Sequence, residues 1–120
     1  MIYQENLRVC LRELSDEGFQ RRAWLASSGP EISSFAELVA QTFDDTGLGD
    51  ALDRGELPPE LDDAAFSTLK ELRRAVSKVD QYAPPEDLLT DPKVEKVREI
   101  AAHALELIEK ASKEQGASDR

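Results

Sequence analysis

Residues 61–79 read LDDAAFSTLKELRRAVSKV, and the apolar positions Leu61, Ala65, Leu69, Leu72, Val76 and Val79 are separated by four or three residues throughout. Spacing of this kind stacks side chains along one stripe of a helix, whereas a strand would alternate apolar and polar positions. Pro58-Pro59 marks the start of the run and Asp80 its end, which predicts a helix of about six turns. A second stripe lies further on, in Val94, Val97, Ile100, Ala101, Ala104, Leu105 and Ile108. It follows Asp91-Pro92, an acid at the N-cap and a proline at the first helical position. Two long apolar stripes with no strand pattern predict helices packed on helices.

Shorter helices fill in around this pair. Leu7, Cys10, Leu11 and Leu14 predict a helix over about Tyr3 to Leu14, after which Ser15 offers a cap with Asp16 and Glu17 in the next first turn. That second helix carries Phe19, Ala23 and Trp24 and ends near Ser27, at the breaker Ser27-Ser28-Gly29-Pro30. Ser34-Phe35-Ala36-Glu37 has the form of a capping box, and Phe35, Leu38, Val39, Thr42 and Phe43 continue at helical spacing. Gly47 is placed to end this third helix. Asp44 and Asp45 just before it set two carboxylates against the negative end of the helix dipole, a conflict of the kind expected where function overrides stability. Leu48 to Arg54 forms at most a short helical turn closed by Gly55, and Gln81 to Thr90 is expected to be a connector with Leu88 and Leu89 turned inward. The fold expected is all-α, an irregular bundle of about five helices over residues 1–112, with a tail at 113–120 that frays.

A chain of 120 residues fits one domain. Apolar residues make up 40% and charged residues 33%, which implies a lean core under a solvated surface. The single cysteine, Cys10, forbids an intramolecular disulfide and sits at an apolar helical position, so a buried thiol is expected. No apolar run suits a signal peptide or a membrane span, so a cytoplasmic location without membrane attachment is the expectation.

Charge is the most uneven property of the chain. Residues 1–30 hold four acids and four bases, and residues 64–120 hold eleven acids and ten bases. Residues 31–63 hold ten acids against one base, Arg54, so nine of the ten net negative charges lie in this segment. Clustered like charge speeds encounter with an oppositely charged surface and repels phosphates. The segment therefore points to a basic protein partner and away from nucleic acid and anionic membrane.

Residues of other chemistries give weaker patterns. Counting a calcium loop from Asp45 puts Glu56 at the twelfth position, but the third and fifth are Gly47 and Gly49 and the sixth is Asp50, so the ligand oxygens are missing. His103 has Glu99 and Glu106 near it on the last helix, without the Glu-x-x-His pairs of a di-iron bundle. Arg21-Arg22 and Arg73-Arg74 have acids nearby and no interleaved aromatics. Neither a metal nor another cofactor is expected, and no catalytic residue is assigned.

The run Phe35-Ala36-Glu37-Leu38-Val39 to Phe43-Asp44-Asp45-Thr46-Gly47-Leu48, followed by Asp50-Ala51-Leu52, resembles small helical immunity proteins of bacterial toxin systems, contact-dependent inhibition systems among them, over about residues 35–55. The resemblance implies a cytoplasmic, non-enzymatic protein that binds and blocks one cognate toxin, often a basic nuclease. Charge supplies the expected contact set: Asp44, Asp45, Asp50, Asp53, Glu56, Asp62 and Asp63 as carboxylates, with Leu48, Leu52 and Leu57 as apolar anchors. Two other readings stay open. The chain is expected to be a monomer or homodimer, and one of these readings is a structural or adaptor protein that self-associates through Leu69, Leu72, Val76 and Val79. The other is a metal-dependent enzyme using Asp44, Asp45 and His103.

Overall fold

The computed structural model describes residues 4–25, 34–56 and 61–118, with side chains through residue 111. Among the described residues there are seven helices and no strand. Helix α1 (Gln4–Ser15) buries Leu7, Cys10, Leu11 and Leu14. Helix α2 (Glu17–Leu25) follows almost at once, and its cap is Asp16, not Ser15: Asp16 Oδ1 accepts from the Phe19 N–H at 3.0 Å. Ser15 instead closes α1, its hydroxyl donating to the Arg12 carbonyl at 2.9 Å.

Helix α3 (Phe35–Ala40) starts as expected, with Ser34 Oγ accepting from the Glu37 N–H at 3.1 Å. It then widens into a π-helical turn (Gln41–Asp45) that the spacing did not reveal. Helix α4 (Leu48–Arg54) is a full helix between Gly47 (φ 82°) and Gly55 (φ 67°), both left-handed, where glycine carries no Cβ penalty. Helix α5 (Asp63–Ser77) is shorter than expected, about four turns in place of six. The side chain of Asp62 accepts from the Ala65 N–H at 2.8 Å and fixes the start there. Leu61 is buried just ahead of that cap without being helical. Pro58-Pro59, the expected start, lies outside the described residues.

The expected connector contains a helix, α6 (Pro85–Thr90), with proline at its first position. Leu88 and Leu89 are buried as expected. These two short helices, α4 and α6, account for the difference between five and seven. Helix α7 (Pro92–Ser118) opens on Asp91, whose Oδ1 accepts from the Lys93 N–H at 2.9 Å. Its backbone is helical to Ser118, through most of the segment where fraying was expected.

Helix α7 is the spine. Its 27 residues extend about 40 Å, nearly the 47 Å length of the molecule. It packs most extensively against α5 on one side and α1 on the other. Val94, Val97, Ala101 and Ala104 are fully buried between Leu69 and Leu72 of α5 and the leucines of α1, in one continuous core. Trp24 meets Phe35 edge to face at 5.7 Å, joining α2 to α3. Among the described residues no helix is long and apolar enough to cross a membrane.

One polar cluster lies inside this core. Arg98, 8% exposed, donates from Nε to Gln20 Oε1 at 2.7 Å, from Nη1 to Glu17 Oε1 at 3.3 Å and from Nη2 to the Leu89 carbonyl at 3.2 Å. Gln20, 1% exposed, donates in turn to the Glu13 and Leu14 carbonyls at 3.0 and 2.9 Å. Three helix ends (of α1, α2 and α6) are thereby tied to the second turn of α7.

Candidate functional site

The acidic segment is shaped by two threonines. Thr42 Oγ1 donates to the Leu38 carbonyl at 2.7 Å, and Thr46 Oγ1 donates to the Thr42 carbonyl. Both hydroxyls bond four residues back, which competes with the backbone ladder and suits a widened turn. Thr46 Oγ1 also accepts from the Leu48 N–H at 3.2 Å and so bridges into α4. Thr42, Phe43 and Thr46 point inward, and the consecutive pair Asp44 and Asp45 is left exposed in the last π-helical turn. The conflict with the helix dipole is therefore a feature of the fold: two carboxylates stand at the carbonyl end, with no basic residue in that turn.

Helix α4 is pressed close behind this turn. A Cβ on Gly49 would lie 2.9 Å from the Phe43 carbonyl oxygen, so no other residue fits without movement. Leu48 and Leu52, four residues apart, are 1% and 6% exposed and hold α4 on the core. They are spent there and cannot serve as surface anchors for a partner. Leu57 lies outside the described residues.

Several of the carboxylates are also committed within the chain. Asp50 pairs with Arg54 at 3.3 Å, and Asp53 pairs with Arg73 at 2.7 Å. Arg73 also donates to the Gly49 carbonyl at 3.4 Å, so α5 supplies the counter-charge that the local sequence lacks and clamps α4 in place. Asp62 is the cap of α5. Asp44, Asp45, Glu56 and Asp63 remain exposed, with no ion pair among the described residues.

A shallow pocket of about 270 Å³ lies beside Asp45, lined by Asn6, Val9, Cys10, Gln41 and Thr46. Burial raises the pKa of the Cys10 thiol, a hydrogen bond with Thr42 lowers it, and the charges of Glu13 and Asp45 raise it again. The net shift is upward, which holds the sulfur as an unreactive thiol at neutral pH. His103, Glu99 and Glu106 are exposed on α7. Among the described residues no three His, Cys, Asp or Glu side chains are grouped to hold a metal. The self-association stripe is not a surface at all: Leu69, Leu72, Val76 and Val79 are between 0% and 6% exposed, facing the core.

Sequence reading missed Gln20, Arg98 and the Arg73–Asp53 pair. A signal existed for the first two. Gln20 shares a helical face with Ala23 and Trp24, and Arg98 falls in the stripe between Val94 and Ala101. Polar residues on apolar faces of two helices are candidates for each other. The third had no such signal, because twenty positions separate Arg73 from Asp53.

No family model, no curated protein and no solved structure matches the chain.

Proposed function

We propose that this chain is a non-enzymatic binding protein that engages a basic protein through Asp44, Asp45, Glu56 and Asp63, most concretely as a cytoplasmic immunity or antitoxin-like inhibitor of a cognate toxin. The observation that carries the reading is that these four carboxylates are exposed and unpaired among the described residues, while the other described acids of the expected contact set serve the fold. Further support comes from the rigid mounting of Asp44 and Asp45 on a π-helical turn fixed by buried threonines, which pre-organises their charge. Inhibition is by occlusion: the acids steer a basic surface into place, and the surface around them covers it.

The products of the adjoining genes, each expressed alone in a host lacking this chain, provide the test. A toxic product should be relieved by co-expression, should bind the purified chain, and should associate more slowly as salt rises. Replacing Asp44, Asp45, Glu56 and Asp63 by their amides should slow association by about tenfold or more. Failure of every neighbour to bind or to be relieved rejects the inhibitor; unchanged binding by the amide variant rejects the acidic face.

A further inference from the structure

The bases of residues 64–120 are scattered among acids in the sequence, but the fold gathers several of them. Arg74 on the last turn of α5 and Lys78, which caps that helix, share a groove of about 210 Å³ with Lys93 and Lys96 on α7, lined also by Ala75 and Ile100 and, among the described residues, by Glu71 as the one carboxylate. The lining thus holds four cations against one anion. None of the four has an ion-pair partner among the described residues, although the chain as a whole carries ten excess acids. Arg74 also borders a second hollow with Lys70, Arg73 and Ser77, of which Arg73 is paired with Asp53.

We propose that this groove is a docking site for a short, extended acidic segment of a partner protein. Three features select that ligand. First, residues four apart on a helix are spaced about 6 Å along its axis, close to the roughly 6.7 Å repeat of alternate side chains in an extended strand. Arg74 and Lys78 therefore match carboxylates at every second position of such a segment. Second, the lining is partly apolar, with Ile100 and half-buried Ala75 beside the cations, so a small apolar side chain has a place between the acids. Third, among the described residues no aromatic lines the groove, so the stacking platform that single-stranded nucleic acid uses is missing there.

The test uses the intact chain and a labelled eight-residue peptide with glutamate at alternate positions and alanine or leucine between. Amide-resolved NMR titration should move the signals of Arg74, Ala75, Lys78, Lys93, Lys96 and Ile100, and affinity should fall as salt rises. Lys93→Glu with Lys96→Glu should weaken binding by about tenfold or more, whereas Lys110→Glu, off the groove on the same helix, should leave it within about twofold. Folding of each variant is checked by circular dichroism, and these exposed positions carry little stability. The proposal is overturned if the folded chain ignores the peptide, if a glutamine version binds equally, or if the shifted signals lie elsewhere. It is also overturned if pyrophosphate or a thymidine octanucleotide competes as well as the peptide, which would mark a site for small anions or nucleic acid. Groove signals that move with protein concentration alone would assign it to the acidic segment of a second copy instead.

Discussion

Replacing Arg98 by methionine tests whether the buried polar cluster holds the helices in register. Methionine keeps most of the aliphatic stem, so packing loss is small and the missing guanidinium dominates. Two buried acceptors, Gln20 Oε1 and the Leu89 carbonyl, lose their donor, at about 1–3 kcal/mol each. The Glu17 contact adds little, because that carboxylate is half exposed and regains water. The sum is a loss of about 2–6 kcal/mol, a large part of the roughly 5–15 kcal/mol expected for a domain. Urea unfolding followed by circular dichroism measures it, with an unchanged slope showing that the compactness of both states is kept. Arg98→Lys should recover only part of the loss, since one ammonium cannot reach Gln20, Glu17 and Leu89 from the directions a guanidinium uses. Gln20→Met combined with Arg98→Met should cost at least about 1 kcal/mol less than the two single losses added, because each single change leaves the other group unsatisfied. A loss below about 1 kcal/mol for Arg98→Met, or strict additivity of the pair, would refute the reasoning.

Three further outcomes are expected. Gly49→Ala, which in an open helix would add about 0.5–1 kcal/mol of stability, should instead remove about 1–3 kcal/mol, because the new Cβ meets the Phe43 carbonyl at 2.9 Å; thermal melting reads the sign. Asp44→Asn and Asp45→Asn should each stabilise the fold by about 0.3–1 kcal/mol at low salt, a gain that shrinks as salt is added; a loss would show that these acids serve the fold. Burial holds the Glu13 carboxyl above its ordinary pKa, so the folded chain keeps that proton more tightly than the unfolded chain. Its contribution is full below the ordinary carboxylate value of about 4.3 and is lost as pH rises through the raised folded value. Glu13→Gln should therefore be more stable than the parent at neutral pH, by no more than about 0.5 kcal/mol because the side chain is partly solvated, and the advantage should close on acidification.

The long helices were legible because their evidence is local and repeated. The stripe from Leu61 to Val79 and the one from Val94 to Ile108 are buried as their spacing requires, with Leu105 alone half-buried. Helix ends were legible where a side chain caps its own neighbours, at Ser34 and Asp91. They were misread where two residues compete for one role. Ser15 and Asp16 both suit a cap, and only the geometry decides that the aspartate takes it. The π-helical turn was hidden for a related reason. Thr42 and Phe43 fit the helical face by spacing alone, and the widening depends on which carbonyls the two threonine hydroxyls reach.

The acidic site was legible in charge but not in availability, and the difference follows from how chains fold. A count along the sequence assigns nine excess charges to residues 31–63 and near neutrality to residues 64–120. Folding redistributes both. Arg73 leaves the nearly neutral half to neutralise Asp53, and Asp62 turns its charge onto the first turn of α5. On the other side of α5, Arg74 and Lys78 join Lys93 and Lys96 in a groove that no acid fills beyond Glu71. A chain whose composition suggests one surface for one basic partner thus carries spare charge of both signs, on separate residues of the same scaffold. Charge that a fold needs is paired, and Asp50, Asp53 and Arg73 show it. Charge left unpaired on rigid helices costs stability through self-repulsion and dipole conflict. Asp44 with Asp45 and Lys93 with Lys96 are two places among the described residues that bear such a cost, and each is where a separate set of substitutions can ask what the cost is for.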